Sequence, residues 1–282
     1  MVHPDNSITL PQVIILIGLT LLIYRLTTYS NIPFVKRNIK KYLFLRNLDK
    51  IYKPYLSANF AFYNSLDPKN KLLFERRVQK FIDLKEFIPR GGITVITPEM
   101  KSLIAGSAIQ LTFGYPEVYF RHFWRILIYP DSYYSTITRK YHNGEVNVRG
   151  IIVFSWKSFR EGFLNPSDGI NLEYHEMAHA LRLINIIDNE EYDFYDRRIM
   201  DEFEKEANSE TIKILNSPHE KSLFRSYSAT NLDEFFSVAI ECFFEKPYDF
   251  VQYNPKLYGL LSKILKIDPY RFNSETFIRN TA

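Results

Sequence analysis

The sequence contains one cysteine, Cys242, among 282 residues. A single thiol excludes an intrachain disulfide framework, a four-cysteine zinc ribbon and a CxxC redox site. Any bound metal must therefore be held mainly by histidine and carboxylate side chains. Glycine is also scarce, with ten residues, and no repeat of about 20 to 50 residues is visible, which excludes collagen-like and solenoid architectures. With 46% hydrophobic residues, the chain can bury the core of one large or two small domains.

Acidic residues are nearly absent from one stretch of the chain. Residues 25–53 hold eight Lys or Arg and a single acid, Asp49, whereas the whole chain has a net charge of +4. The remainder is therefore slightly acidic. A basic segment beside a near-neutral body is typical of a membrane-proximal neck and not of a nucleic-acid-binding face. We therefore expect no nucleic-acid partner.

Charged residues are absent from Ile8 to Tyr24, and past Arg25 the uncharged stretch continues to residue 29. As a helix, residues 8–29 would span roughly 33 Å, and the hydrocarbon layer of a bilayer is about 30 Å thick. A cleaved signal peptide and a buried core helix are the alternatives, but here positive charge follows the apolar run instead of preceding it. The sequence therefore predicts a transmembrane helix that associates with the membrane through residues 8–29.

This prediction divides the chain into three segments. They are an N-terminal transmembrane anchor at residues 1–30, a basic juxtamembrane neck at residues 31–66 and a folded domain at residues 67–282. Basic residues concentrate on the cytoplasmic side of membrane helices, so the folded domain is expected in the cytoplasm. We expect a single-pass protein of a bacterial-type inner membrane.

Hydrophobic periodicity predicts a helical C-terminal half. Helices are indicated at residues 171–187, 196–215, 232–245 and 255–265, after helices opened by Asp67–Pro68 and by Pro98 and one helix within residues 31–64. Short β-branched and aromatic runs predict strands within residues 93–97, 123–130, 133–141 and 146–156, with Asn143–Gly144 as a hairpin turn. Strands followed by helices predict an α+β fold with a small mixed or antiparallel sheet.

The strongest chemical signal is the segment HEMAH, residues 175–179, inside a predicted helix. His175 and His179 lie four residues apart, so both imidazoles face one side of the helix and can hold one Zn²⁺. Glu176 then leans toward the open coordination position. The alternative is a packed helix face whose histidines bond to the backbone, but the apolar residues around them offer few such partners.

A catalytic zinc ion usually takes three protein ligands and a water, so a third ligand must come from elsewhere in the chain. A metzincin continuation is excluded because Arg182 and Asn185 stand where glycine and histidine would be required. Carboxylates are available on two later predicted helices, at Asp201, Glu202, Glu204 and Glu206 and at Glu234 and Glu241. Spacing alone does not choose among them.

Six separated segments carry a family resemblance over roughly residues 70 to 270. In order they read IPRGGITVITPEMKSLIAGSAIQLTFG, RILIYPDSYY, IIVFSWKSF, DGINLEYHEMAHAL, YSATNLDEFFSVAIECFFEKP and NPKLYGLLSKILKIDP. Together they closely resemble the Mlc titration factor A family of zinc-dependent peptidases. Several motifs in the right order make this resemblance far more specific than HExxH alone.

The resemblance implies a zincin-like metallopeptidase domain. Zinc would be held by His175, His179 and Glu234, with Glu176 as the general base. The family pattern Y-x-A-T-x-x-x-E-F-F falls on Tyr227 and Glu234. The resemblance therefore implies that Tyr227 steadies the oxyanion.

Two of the carboxylates keep alternative roles at this point. Glu234 stands three residues after Asn231 at a predicted helix start, so it could be the partner in a capping box. Glu241 lies two turns beyond Glu234 on the same helix face. It is either an acceptor for the N–H of a ligand imidazole or an ordinary helix-face charge.

These observations predict a membrane-anchored zinc peptidase that hydrolyses peptide bonds through a zinc-bound water and acts on a peptide or protein. The strand IIVFSW, residues 151–156, is the expected edge along which a peptide would pair. The alternative function is a membrane-tethered binding module that sequesters a regulatory protein, with any zinc structural or vestigial. A regulatory protein is therefore the second partner class to consider.

Overall fold

The computed structural model describes residues 13, 17–20, 45–135, 139–189, 191–216 and 222–271. The chain divides into two units, Met1–Leu45 and Arg46–Ala282, and every element named below belongs to the second. The predicted transmembrane segment lies outside the described residues apart from Val13 and residues 17–20. Within the described parts of the chain, no helix is long and apolar enough to cross a bilayer.

The second unit contains helices before, between and after its strands. Along the chain the elements are α1 (Lys53–Asn59), α2 (Ala61–Ser65), α3 (Pro68–Leu84), β1 (Glu86–Pro89), α4 (Pro98–Leu111), β2 (Arg125–Tyr129), β3 (Tyr133–Ser135), β4 (Lys140–His142), β5 (Gly144–Asn147), β6 (Ile151–Ser155), α5 (Trp156–Leu164), α6 (Leu172–Ile186), α7 (Arg197–Asn216), a 3₁₀ helix (Ser226–Thr230), α8 (Leu232–Glu245), α9 (Pro247–Tyr253) and α10 (Pro255–Leu265). After β6, every regular element in the described residues is helical. The predicted α+β class with a helical C-terminal half is confirmed.

Four strands form a mixed sheet in the order β1-β2-β6-β5. Strands β1, β2 and β6 are parallel, with Ile126 paired to Ile152, and β5 runs antiparallel to β6. Strands β3 and β4 form a separate antiparallel ribbon. Because β5 ends the sheet, one edge of its backbone has no strand partner among the described residues.

The predicted hairpin turn at Asn143–Gly144 is wrong. Strand β4 pairs with β3 and strand β5 pairs with β6, so these two residues separate strands that do not pair with each other. Gly144 also lacks the positive φ that an Asn-Gly turn uses. Strand β6 is accordingly flanked on both sides, by β2 and β5. The edge expected at residues 151–156 is therefore at β5 instead.

Two further local predictions are wrong. Residues 93–97 form a loop because β1 takes the place beside β2, and this tertiary pairing overrides the β propensity of the run ITVIT. The single helix predicted within residues 31–64 consists, in its described part, of the short helices α1 and α2. Phe60 between them has an extended backbone and packs its ring against Gly106 of α4. Burial of this ring therefore accompanies the break.

The two helices that carry the site are each capped at the N-terminus by an asparagine side chain. Asn171 accepts the N–H of Tyr174 at 3.1 Å at the start of α6, and Asn231 accepts the N–H of Glu234 at 2.9 Å at the start of α8. Such caps satisfy donors that the first turn of a helix leaves open. Helix α6 packs against α4, α8, β5 and β6, with Met177 fully buried. This burial fixes the direction of the polar side chains of α6.

Candidate metal centre

Helix α6 brings two histidines together on one part of its surface. The Nε2 atoms of His175 and His179 lie 3.1 Å apart, consistent with the i, i+4 spacing of HEMAH. Met177, Ala178 and Leu181 are fully buried. Since this apolar face is packed in the core, the helix presents its histidines to the opposite, open side.

Helix α8 supplies a carboxylate to these histidines. Glu234 lies in the first turn of α8, and its Oε2 is 3.2 Å from Nε2 of His175 and 3.6 Å from Nε2 of His179. The backbone N–H of Glu234 bonds to the Asn231 cap, but its carboxylate faces the imidazoles. Glu234 could be a capping-box partner or a metal ligand, and the position of its carboxylate beside both imidazoles fits a third metal ligand.

The other carboxylate candidates lie in different surroundings. Glu204 of α7 is 3.5 Å from a guanidinium nitrogen of Arg182, and Glu206 pairs with Lys256 at 2.8 Å. Asp201 and Glu202 are exposed. None of these α7 side chains belongs to the cluster around His175.

The three facing atoms have the spacing of metal ligands. Bonds of about 2.0 to 2.1 Å in a tetrahedral site place neighbouring ligand atoms about 3.3 Å apart, and the three observed separations lie on both sides of that value. Oε2 of Glu234 is buried without a hydrogen-bond partner. Among the described residues, His175, His179 and Glu234 form the group that could hold a metal ion. Two imidazoles and one carboxylate therefore fit such an ion.

Glu241 fixes the orientation of His175. Its Oε1 accepts a hydrogen bond from Nδ1 of His175 at 2.7 Å, which leaves Nε2 facing Glu234. The Glu241 side chain is fully buried, and its Oε2 accepts the N–H of Asn171 at 2.6 Å. A carboxylate behind a metal-ligating imidazole is a common support. Glu241 therefore fits the predicted role of an acceptor for the imidazole N–H of His175, and not that of an ordinary charge on the helix face.

Burial and neighbouring charges act in opposite directions on the ligand residues. Burial alone would lower the pKa of His175, but contacts with Glu234 and Glu241 raise it to about 9. Burial alone would raise the pKa of Glu234, but the imidazoles of His175 and His179 hold it below its ordinary value. A metal ion that binds here must therefore displace a proton.

Glu176 lies beside the ligands without joining them. Its side chain is buried, and this burial raises its pKa to about 7 although both neighbouring imidazoles act to lower it. A carboxyl pKa near neutrality suits proton transfer. Gly144 of β5 provides the space, because a β-carbon there would lie 2.5 Å from Oε1 of Glu176. Glycine at position 144 therefore serves the site and not a turn.

Tyr227 stands at the mouth of the site. It belongs to the 3₁₀ helix, and its ring centroid lies 6.3 Å from that of His175. Half of its surface, 51%, is exposed. Partial burial and the nearby Glu234 carboxylate raise the pKa of Tyr227. The hydroxyl therefore stays protonated and can donate a hydrogen bond.

The site lies in an elongated cleft made of two adjoining cavities of about 550 Å³ and 390 Å³. Both are lined by Gly144, His175, Glu176 and Tyr227. The larger continues along polar residues including Ser158, Glu161 and Asp168, and the smaller along Val146, Leu183 and Ile186. Because the two cavities share lining residues, they adjoin at His175.

The sequence does not predict a site role for two residues, Arg225 and Gly144. Arg225 lines the larger cavity and donates to Glu241, but no motif or spacing rule singles out a lone arginine. The sequence predicts a turn at Gly144. A glycine inside a strand also signals close approach of another group, and that signal could have found it.

A helix with two histidines and a glutamate, joined by a carboxylate from a second helix, is an arrangement found in metal-dependent peptidases. The chain belongs to the family described as glucose-regulated metallo-peptidase M90, which matches residues 35–266, and the predicted relation to the Mlc titration factor A family is confirmed. It is also similar to the uncharacterized protein slr2042 of Synechocystis sp., with 27% identity over 244 residues that cover 82% of this chain and 88% of that relative. Family membership implies a bound metal, a hydrolase activity and a peptide or protein substrate.

Proposed function

We propose that the protein is a zinc-dependent peptidase whose metal is held by His175, His179 and Glu234. The observation that supports this most is the convergence of these ligand atoms beside the buried Glu176 in an open cleft. Two imidazoles and one carboxylate match the ligand set of catalytic zinc sites that keep an open position. When bound, zinc supplies a Lewis acid and lowers the pKa of a water molecule toward about 7.

Glu176 acts as the general base. Its carboxylate, which occupies the space left by Gly144 and is carried by a packed helix, takes the proton of the attacking water. The same group then delivers a proton to the leaving amine of the cleaved peptide bond. Such proton transfers contribute about 10²- to 10⁴-fold to catalysis.

Tyr227 donates a hydrogen bond to the scissile carbonyl oxygen as negative charge develops on it. Its partly exposed ring at the cleft mouth lets a substrate approach its hydroxyl. The raised pKa of Tyr227 keeps the donor proton available. Donors aimed at a developing oxyanion stabilise the transition state more than the ground state.

The peptide substrate lies along β5. Gly144, Glu145 and Val146 of this strand line the cleft, and the outer edge of β5 has no strand partner in the described chain. An extended peptide can therefore pair its backbone with β5 while its side chains enter the two cavities. This arrangement replaces the expected pairing with residues 151–156.

Membrane anchoring is a separate part of the proposal. The uncharged run from Ile8 to Tyr24 and the eight basic residues within 25–53 support an anchor at residues 8–29 with the peptidase domain in the cytoplasm. Fractionation with an alkaline carbonate wash tests the anchor, and a reporter fused after Ala282 tests the side. Release of the full chain by the wash, as for a variant lacking residues 1–30, would contradict the anchor.

The test of the catalytic proposal is metal content together with hydrolysis of a labelled unstructured protein. Purified full-length wild type is expected to carry one zinc ion per chain, and Glu234→Ala is expected to lose most of it because one of three ligands is removed. Glu202→Ala, on an exposed position of α7, is the matched control and should retain zinc and activity.

Two results would change the proposal in different ways. Unchanged zinc in Glu234→Ala would remove Glu234 from the ligand set. Stoichiometric zinc without hydrolysis of any tested peptide or protein would favour the alternative of a binding module that sequesters a regulatory protein.

A further inference from the structure

Arg225 lies directly before the 3₁₀ helix that carries Tyr227, and its side chain lines the larger cavity. Its Nη2 donates a hydrogen bond to Oε1 of Glu241 at 2.5 Å. The Arg225 side chain is 30% exposed, whereas that of Glu241 is 1% exposed. A guanidinium in contact with the cleft therefore reaches a carboxylate that is closed off from solvent.

The same oxygen of Glu241 also accepts a hydrogen bond from the imidazole of His175. Nδ1 of His175 donates to Oε1 at 2.7 Å, and Nη2 of Arg225 lies 3.5 Å from that Nδ1. Two donors thus converge on one oxygen, and the N–H of Asn171 binds the other at 2.6 Å. Because both oxygens are engaged, the plane of the carboxylate is fixed.

The two supports of Glu241 come from different parts of the chain. The N–H of Asn171 belongs to the cap of α6, the helix that also carries His175. Arg225 comes from the segment before the 3₁₀ helix and so ties Glu241 to a third element. The bond from Arg225 joins a permanently charged guanidinium to a carboxylate, and charge-assisted hydrogen bonds of this kind are roughly twice as strong as those between neutral groups.

We propose that Arg225 is a positioning residue for the metal ligand His175, acting through Glu241. It fixes the Glu241 carboxylate so that Nδ1–H of His175 is held and Nε2 faces Glu234 and His179. The inference rests on the proposed function, because positioning requires that the metal binds at His175.

Zinc affinity of the full-length chain, measured by competition with a chromogenic chelator after metal removal, tests this role. Arg225→Gln removes the charged donor and is expected to weaken zinc binding about tenfold, since supports of metal-ligating histidines contribute about 10- to 100-fold. Arg225→Lys keeps a charged donor without the planar fork and is expected to fall between wild type and Arg225→Gln. Arg160→Gln is the control, because Arg160 has similar exposure, 34%, and pairs with Glu99 at 2.7 Å.

A double-mutant cycle with Glu241→Gln distinguishes positioning from a purely structural role. If Arg225 acts through Glu241, the loss caused by Arg225→Gln should shrink to less than about twofold in the Glu241→Gln background. A structural role alone predicts the same loss in both backgrounds. Circular dichroism of the metal-free variants monitors folding, and Arg225→Lys supplies the comparison if Arg225→Gln does not fold.

Three outcomes are decisive. A tenfold loss that depends on Glu241 supports the positioning role. Wild-type zinc affinity in Arg225→Gln, or an equal loss in both backgrounds, overturns that role while the metal site stands. Failure of the folded wild type to bind zinc overturns the proposed function itself, and the role of Arg225 with it.

Discussion

Two glutamates of α6, Glu173 and Glu176, lie one turn apart and are both buried, but they face different surroundings. Glu176 lines the cleft beside His175 and Gly144. Glu173 lines a separate cavity of about 220 Å³ with aromatic walls that include Phe163. In the described part of the chain, neither carboxyl oxygen of Glu173 has a hydrogen-bond partner.

Burial raises the pKa of both carboxyl groups, that of Glu176 to about 7 and that of Glu173 well above its ordinary value. A raised pKa therefore does not by itself identify a catalytic residue. The charged neighbours differ. The imidazoles of His175 and His179 act to lower the pKa of Glu176, whereas the carboxylates of Glu245 and Glu241 act to raise that of Glu173. Glu176 is thus able to exchange protons in an open cleft, whereas burial makes Glu173 bind its proton more tightly than an ordinary carboxyl does.

The sharpest test of this difference makes the same substitution at both positions. Glu176→Gln removes the proton acceptor and should lower kcat by about 10²- to 10⁴-fold. Glu173→Gln changes a carboxyl that lines a separate cavity and should retain most of the activity. Hydrolysis of a labelled protein substrate at saturating concentration measures both effects.

Zinc content by mass spectrometry is the control for this pair, and both variants should match wild type because neither glutamate is one of the three ligands. Equal losses of activity in the two variants would mean that position in the cleft does not separate the roles of Glu173 and Glu176.

Tyr227→Phe examines the mouth of the cleft. Removal of a donor to a developing oxyanion is expected to lower kcat by about 10²- to 10³-fold while KM and zinc content stay close to wild type. Steady-state kinetics measure kcat and KM separately. Tyr134→Phe is the matched control, since Tyr134 is equally exposed, at 52%, on the β3–β4 ribbon. An unchanged kcat in Tyr227→Phe would remove the hydroxyl from the mechanism.

Gly144→Ala tests the space that Glu176 occupies. The added β-carbon would lie 2.5 Å from Oε1 of Glu176, so the carboxylate must move, and a displacement of about 1 Å can cost up to about 10²-fold in rate. We expect a loss of about tenfold to hundredfold in kcat with zinc retained.

Gly259→Ala is the control for this change. Gly259 lies in α10, and apart from its chain neighbours and its own helix backbone no atom of the described residues lies within 4 Å of the new β-carbon. Alanine favours a helix over glycine by about 1 kcal/mol. Wild-type kinetics in Gly144→Ala would show that the close approach of β5 does not position Glu176.

The part of the site that lies on one helix could be predicted from the sequence. His175, Glu176 and His179 follow from i, i+4 geometry and from a single amphipathic helix, both of which are local properties. The third ligand could not be chosen by spacing, because carboxylates on both α7 and α8 satisfy it. Only the packing of α8 against α6 places Glu234 beside His175, and in the sequence this residue is singled out by the family resemblance alone.

The strands show the same limit. Long helices such as α7 follow from periodicity within one segment, whereas a strand is defined by its partner. The run at residues 93–97 has strand composition but no place in the sheet, and Gly144 has turn composition but lies in a strand. In both cases the deciding contact, with β2 or with Glu176, comes from a segment distant in sequence.

The smallest expected effect concerns stability. Because the folded state raises the pKa of Glu173 above the ordinary 4.5, it binds this proton more tightly than the unfolded chain does. The free energy of unfolding therefore falls as pH rises above about 4.5 and until the folded pKa is passed, with a slope of up to about 1.4 kcal/mol per pH unit from this group.

Glu173→Gln removes this contribution without removing a hydrogen bond, since both carboxyl oxygens lack partners among the described residues. Urea unfolding at about pH 5, 6, 7 and 8 should show wild type losing stability relative to the variant as pH rises. Glu202→Gln on the exposed face of α7 should follow wild type. Parallel curves for Glu173→Gln and wild type would mean that Glu173 ionises in the fold as it does in the unfolded chain, and the contrast with Glu176 would then lie in the imidazoles alone.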